Sequence, residues 1–471
     1  MSQRRLQKRD GESARAGAAG RAVRGHARGL AVALGIALAS ATAARANPFD
    51  AYGVGSRSAG MASAVTAVVQ DFGSVYYNPA GLAQNGGMEA SFGYFYAPPT
   101  LEINGKDVNE DTTSGLVAGF VSPPMELPGG IKMSGGGLFH LPDKRVARTL
   151  AIPYDQPTYV LYGARNQRTM VMFPFCFELA PWISVGAGIS LFVDSSGGPD
   201  FTLREDRPDN EGLFSEGTIS ATQHGRFYPV AGMLVHPAEG FRIGFDYRSK
   251  NEALYEVPID VSIEALHIFN IPFDVLPESK IVLRQQVFSF FSPDQFTLGT
   301  AWNATEDLLL TADVTYALWS AFQQPSPEGA TTYEGGLALL LGANPNFGLP
   351  PPDFHDIVIP AAGAEWRFHH DESMELFLRG GYRFRPTPAP TPKGFNNFAD
   401  TNVHVIALGL GGRFPHLLSV VRGPIDIDVH AQYLHLEERL ARKDNPVADA
   451  YGDFTMGGYV LVGGATATLR F

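Results

Sequence analysis

The sequence predicts an all-β membrane protein: a 14-stranded antiparallel transmembrane β-barrel with a small, partly helical N-terminal hatch in its lumen. Three observations carry that expectation. Segments of about ten residues alternate apolar and polar side chains with period two, which puts one set on each face of a sheet. The connections between them alternate between short and long. The last segment runs Tyr459, Leu461, Gly463, Ala465, Ala467, Leu469 on one face and closes on Phe471.

Composition agrees with this class and removes others. Of 471 residues, 18% are charged, below the roughly 25% of a soluble domain. The chain holds 36 Lys+Arg against 48 Asp+Glu, so it lacks the basic balance of a nucleic-acid binder. One cysteine, Cys176, rules out an intrachain disulfide framework, and its apolar surroundings mark it as structural. After the leader no apolar run reaches the length of roughly 18 residues that a membrane helix needs.

Residues 1–46 read as a signal peptide: a basic stretch, the apolar run Leu30–Ala41, then Ala44-Arg45-Ala46, with cleavage expected before Asn47. Nine basic and two acidic residues lie in this leader. The formal charge of −12 therefore hides a mature chain at −19.

Residues 47–87 are not strand-like. A small-residue run, Ser58–Val69, precedes Tyr76-Tyr77-Asn78-Pro79-Ala80-Gly81-Leu82, whose Asn-Pro-Ala-Gly is a turn signal. A compact, non-strand segment ahead of a barrel suits a plug, with a periplasmic extension as the alternative.

The barrel is expected over 88–471. Its strands fall near 88–103, 114–122, 131–141, 168–179, 183–194, 222–236, 241–253, 286–303, 308–320, 356–368, 373–385, 401–414, 425–436 and 457–471. Connections after even strands are short, such as Ala180-Pro181-Trp182, and those after odd strands are long, such as 254–285 and 321–355. Short periplasmic turns and long extracellular loops are the outer-membrane pattern. Strand three contains Gly135-Gly136-Gly137, and glycines inside a strand mark bulges or bends.

The faces opposite the apolar ones collect charge: Asp246, Arg248, Asp313, Glu375, Arg379, Arg383, Asp426, Asp428, His430 and Arg470. Two readings stand open. The charges pair within the lumen, or Arg379 and Arg383 receive a ligand carboxylate, for which guanidinium is suited. Two long loops are apolar, around Leu266, Phe269 and Phe273 and around Leu340, which fits a capture site for hydrophobic ligands or a lid.

Four stretches resemble the FadL-type family of outer-membrane long-chain fatty acid transporters and their aromatic-hydrocarbon channel relatives. They are Asn47–Leu82, Ser292–Gly299 with Ala312–Ser320, Gly363–Phe368 with Leu378–Tyr382 and Pro386–Pro392, and Phe398–Asn402 through Ile425–Asp428. The resemblance implies a monomeric barrel of the bacterial outer membrane with a lumenal hatch. It implies that Asn78-Pro79-Ala80 lies close to an inward kink in the third strand, here Gly135–Gly137. Ligand would leave sideways through the opening so made. The expected ligands are hydrophobic small molecules, long-chain fatty acids foremost and aromatic hydrocarbons as the alternative. The expected partners are outer-membrane lipids and the barrel assembly machinery, which would read the strand ending in Phe471.

No cofactor, metal site or catalytic residue is expected. No Gly-x-Ser-x-Gly elbow or phosphate-binding loop occurs, and His369-His370 falls at a turn. A non-transport barrel, an adhesin or assembly factor, is the other reading. A diffusion porin is disfavoured by the plug-like segment.

Overall fold

Alternation of large apolar and small or polar residues drives the chain into strands whose outer face is apolar, the inverse of a soluble sheet. In the computed structural model these strands close into a barrel, each antiparallel to its neighbours. They are β1 Glu89–Ala97, β2 Thr113–Val121, β3 Lys132–Pro142, β4 Met170–Ala180, β5 Ile183–Ser196, β6 Thr222–Ala238 and β7 Phe241–Arg248. The second half comprises β8 Gln295–Asn303, β9 Leu308–Ala317, β10 Ile357–His370, β11 Glu375–Arg385, β12 Val403–Phe414, β13 Ile425–Ala441 and β14 Phe454–Arg470. β14 pairs with β1 from Glu89↔Arg470 to Tyr96↔Gly463 and closes the wall. The structure describes residues 41–42, 47–143, 151–152, 156–159, 161–162, 168–196, 199–205, 213–219, 222–264, 279–323, 328–335, 338, 346–348, 351–393, 396–415, 417, 423–444 and 451–471.

The two faces sort as the alternation requires. On β12, Ile406, Leu408 and Leu410 are exposed while Val403, Val405 and Ala407 are buried. On β13, Ile427, Val429 and Tyr433 face out while Asp426, Asp428, His430 and Gln432 face in. An exposed apolar surface of this extent, ringed around a closed wall, is a lipid-facing belt. No described helix is long and apolar enough to cross a membrane.

One boundary differs from the sequence reading. The strands expected at 241–253 and 286–303 each break at the rim. Pro293 has no N–H to give a ladder, and the Asp294 carboxylate takes the Lys250 amide at 2.9 Å and the Tyr247 hydroxyl at 2.8 Å. Beyond that bend the chain continues as strands Asn251–Glu264 and Ser279–Ser292, paired with one another. They join Pro199–Glu205, Leu213–Ile219, Glu328–Glu334 and Asn346–Gly348 in a separate six-stranded sheet. Much of the segment read as an apolar loop, 254–285, is therefore a hairpin. Leu266, Phe269, Phe273 and Leu340 lie outside the described residues, as do the leader's residues 1–40 and 43–46.

Residues 47–84 fill the lumen with short turns. Asn47 caps α1 (Pro48–Tyr52) by accepting the Phe49 amide, and Pro48 occupies the first helical position, where a missing N–H costs nothing. α2 (Ser56–Gly60) packs against β11 to β14, and α3 (Ser74–Tyr77) against β3 and β4. A 3₁₀ turn, Pro79–Gln84, packs against β3, β4, β5 and β6.

Candidate functional site

The hatch approaches the wall so closely that many inward positions can carry no side chain. A Cβ on Gly186 of β5 would stand 2.5 Å from the Pro79 carbonyl carbon, and one on Gly232 of β6 would stand 2.1 Å from Asn78 Oδ1. Gly244, Gly363 and Gly381 meet the hatch backbone at Thr66 and Met61 in the same way. Nothing local in the sequence distinguishes these glycines. Their only signal is that they recur on the inward face of successive strands.

Asn78 is fully buried and makes three contacts. Its Oδ1 accepts the Ala80 amide at 3.0 Å, while its Nδ2 donates to Thr66 O at 2.8 Å and Met233 O at 3.1 Å. Ala80 O accepts from Ser184 Oγ at 3.0 Å and Cys176 Sγ at 3.3 Å. The Asn-Pro-Ala motif thus binds β4, β5 and β6. The hatch atoms nearest Gly136 of β3 belong to Val75 and Leu82, on either side of the motif. The expected closeness to the third strand is made by these flanking residues.

In β3 the glycines alternate: Gly136 faces the hatch, while a Cβ on Gly137 would strike the outward Phe120 ring. The β3–β4 ladder pairs Met172↔Leu138 and Phe175↔Gly135 but omits the two positions between them. Phe173 and Pro174 stand there opposite Gly137 and Gly136, and Pro174 has no N–H to donate. The ladder lapses and resumes in the same register.

Above the hatch lies a cavity that opens to the outside. Phe49, Leu161, Tyr162, Trp319 and Ile359 supply its apolar lining, and Arg248, Arg383 and Arg385 its cations. Trp319 belongs to a cluster of aromatic rings with Phe291, Phe322, Phe354 and Phe398, in which the Phe322 and Phe354 centroids are 4.3 Å apart.

The three arginines differ in what holds them. Arg385 pairs with buried Asp400 at 2.8 Å and donates to Tyr162 Oη at 2.9 Å. Arg248 pairs with Asp50 of α1 at 3.1 Å, donates to Gln295 and lies over the Tyr76 ring. Arg383 donates through Nη2 to Ala51 O, and its buried Nε has no partner.

Arg379 sits four residues before Arg383 on the same face but lines a different cavity, with Arg57, Arg413, Asp426 and Asp428. It donates to Glu365 Oε2 and to Asp428 Oδ1, each at 2.6 Å. Arg57 of α2 takes the same Glu365 through two bonds of 2.9 Å. Arg413 and Arg470 both bond Asp426. Here the lumenal charges pair with one another, and the carboxylate sites of Arg379 are filled by the protein.

Burial also fixes the protonation of the hatch. It pushes the Tyr76 phenol well above the ordinary tyrosine range, against the opposing pull of Arg248, and raises Tyr77 likewise. Tyr76 therefore stays a donor to Asp50 Oδ1, at 2.7 Å. Tyr162, in the loop above, is pushed up to about 12 by burial. For Arg57 burial works downward, but the Glu365 carboxylate outweighs it and holds the guanidinium above its usual value.

No family model matches the chain. It is 22% identical over 475 residues to alkane uptake protein A of Marinobacter nauticus, covering 94% of this chain and 96% of that one. Its fold is similar to a FadL homologue of Pseudomonas aeruginosa, with a TM-score of 0.56 and 14% identity over 89% of this chain and 98% of that chain. It is also similar to the toluene transporter TodX of P. putida, with a TM-score of 0.52 and 12% identity over 89% and 99%. Along nearly its whole sequence and in its barrel fold, the chain is thus similar to transporters of the FadL type from the bacterial outer membrane.

Proposed function

We propose that the chain takes up long-chain fatty acids across the outer membrane and releases them sideways between β3 and β4. The observation that carries this reading is the pairing of a largely apolar cavity above the hatch with the two-residue lapse in the β3–β4 ladder at Gly136 and Gly137. A ligand tail would gain about 25 cal/mol for each Å² of apolar surface it buries against Phe49, Leu161, Trp319 and Ile359. Its carboxylate would meet Arg383, whose Nε has no acceptor of its own. Passage straight down is opposed by the hatch and by the ion pairs of Arg57, Glu365, Arg379 and Asp428 beneath it.

A second reading, hydrocarbon uptake, is favoured by the alkane uptake protein as a relative over nearly the whole chain. Equilibrium binding of labelled hexadecanoic acid and hexadecane to the purified protein tests both. Saturable binding of the acid, weakened in Arg383→Gln, supports the first reading. Saturable binding of hexadecane alone supports the second. Binding of neither overturns both.

A further inference from the structure

Three rings in contact join the lining of the cavity to the third strand. Phe49 of α1 lines the cavity and meets the imidazole of His140 on β3, edge to face, with centroids 4.7 Å apart. Phe95 of β1 flanks both, 6.0 Å from Phe49 and 5.8 Å from His140. His140 lies on the inward face of β3 with Leu138 and Gly136, four residues or roughly 13 Å along the strand from Gly136.

His140 is 1% exposed, so its ring is out of reach of solvent. Its Nδ1 lies 3.2 Å from Leu116 O. A carbonyl can only accept, so Nδ1 carries the proton and Nε2 of the neutral ring carries a lone pair. That Nε2 is buried with no donor to meet it. A phenyl ring would fill the same space among Phe49 and Phe95 without leaving an acceptor unsatisfied, which costs about 1–3 kcal/mol.

We propose that His140 Nε2 is a station for the head group of the transported molecule. It accepts a hydrogen bond from an O–H as the head passes from the cavity toward the β3–β4 lapse. The ligand class so selected is an apolar chain ending in a hydroxyl donor, an undissociated carboxylic acid or an alcohol, in preference to a bare hydrocarbon. The undissociated acid is the form that crosses an apolar gate at least cost, because a carboxylate would have to shed its water there. This inference rests on the uptake reading above and adds to it a residue that reads the head group after it has left Arg383.

The test uses the full chain in cells lacking other long-chain uptake, with radiolabelled hexadecan-1-ol and hexadecane as probes. The alcohol separates His140 from any carboxylate effect at Arg383. His140→Phe keeps the ring packing, and folding is checked by the mobility of the unheated barrel on gels. The expected result is a fall of about fivefold in alcohol uptake relative to hexadecane, the factor of one hydrogen bond, with His140→Gln restoring the preference through its amide oxygen. Equal changes for both probes, or no change, would overturn the inference and leave His140 as packing. His430 of β13, a buried imidazole whose ring nitrogens also lack partners, packs against Gly464 and serves as the control. An equal loss of preference in His430→Phe would also overturn it. Hexadecanoic acid is run beside them, and failure of the wild type to carry any of the three would instead defeat the uptake reading itself.

Discussion

Arg57 of the hatch grips Glu365 of β10 through two parallel hydrogen bonds, Nε to Oε2 and Nη2 to Oε1, both 2.9 Å long. Arg379 holds the same carboxylate from the barrel side and passes the chain of charges to Asp428. A planar guanidinium is suited to such a fork, and a lysine is not. Arg57→Ala should loosen the hatch by roughly 3 kcal/mol, the low end for a broken buried pair, because Arg379 remains on Glu365. The barrel itself should still fold. Planar-bilayer conductance checks this: the variant should show open events that the wild type lacks, and Arg57→Lys should recover only part of the seal.

The inward glycines make a second, sharper expectation. Gly186→Ala places a methyl against the Pro79 backbone, which cannot rotate away, and should cost about 1–3 kcal/mol as overpacking. Gly380→Ala on β11 is the matched control, since its nearest neighbour is 3.9 Å away. Thermal unfolding of the two variants should separate them, with Gly380→Ala indistinguishable from wild type.

Asn78→Ala removes the cap of the 3₁₀ turn and both amide bonds from its Nδ2, leaving Thr66 O and Met233 O without that donor. Loss of a capping side chain alone costs about 1 kcal/mol. Ligand uptake should change more than barrel stability does. Parallel measurement of melting temperature and hexadecanoate uptake checks the split.

Alkaline pH should release the hatch. Tyr52, Tyr76 and Tyr77 are all raised by burial, so their folded forms stay neutral after an unfolded tyrosine has ionised, near pH 10. For groups raised in the folded state, their contribution is complete below the unfolded value and is lost as pH climbs toward the folded one. Conductance should be flat from neutral pH to about 9 and rise above about 10. A flat trace to higher pH would contradict the assignment.

How much of this was legible beforehand depended on the range of the physics involved. Strand faces such as that of Asp426, Asp428 and His430 follow from local alternation, and β13 buries those side chains as read. The hairpin after β7 is hidden in the sequence although Val257, Ile259, Val261 and Ile263 alternate, because the outer-membrane pattern assigns long connections to loops. The arginines show the limit most clearly. Arg379 and Arg383 share a strand and a face, so the sequence offers one site. Between them the hatch backbone at Met61 and Ala62 crosses against Gly381, and it puts the two guanidinium groups into separate cavities. Only a contact between residues more than three hundred positions apart makes that division.

The proposed lateral release between β3 and β4 is tested most directly by one variant. Gly136→Leu adds a side chain where a Cβ already stands 2.8 Å from Val75 Cγ2 and 2.9 Å from Leu82 Cδ2. Binding of labelled hexadecanoic acid to the purified variant and uptake by cells carrying it should be measured together. With lateral release at this point, the variant is a folded barrel that retains saturable binding in the cavity and loses uptake at least tenfold. Undiminished uptake by a folded Gly136→Leu barrel would contradict it.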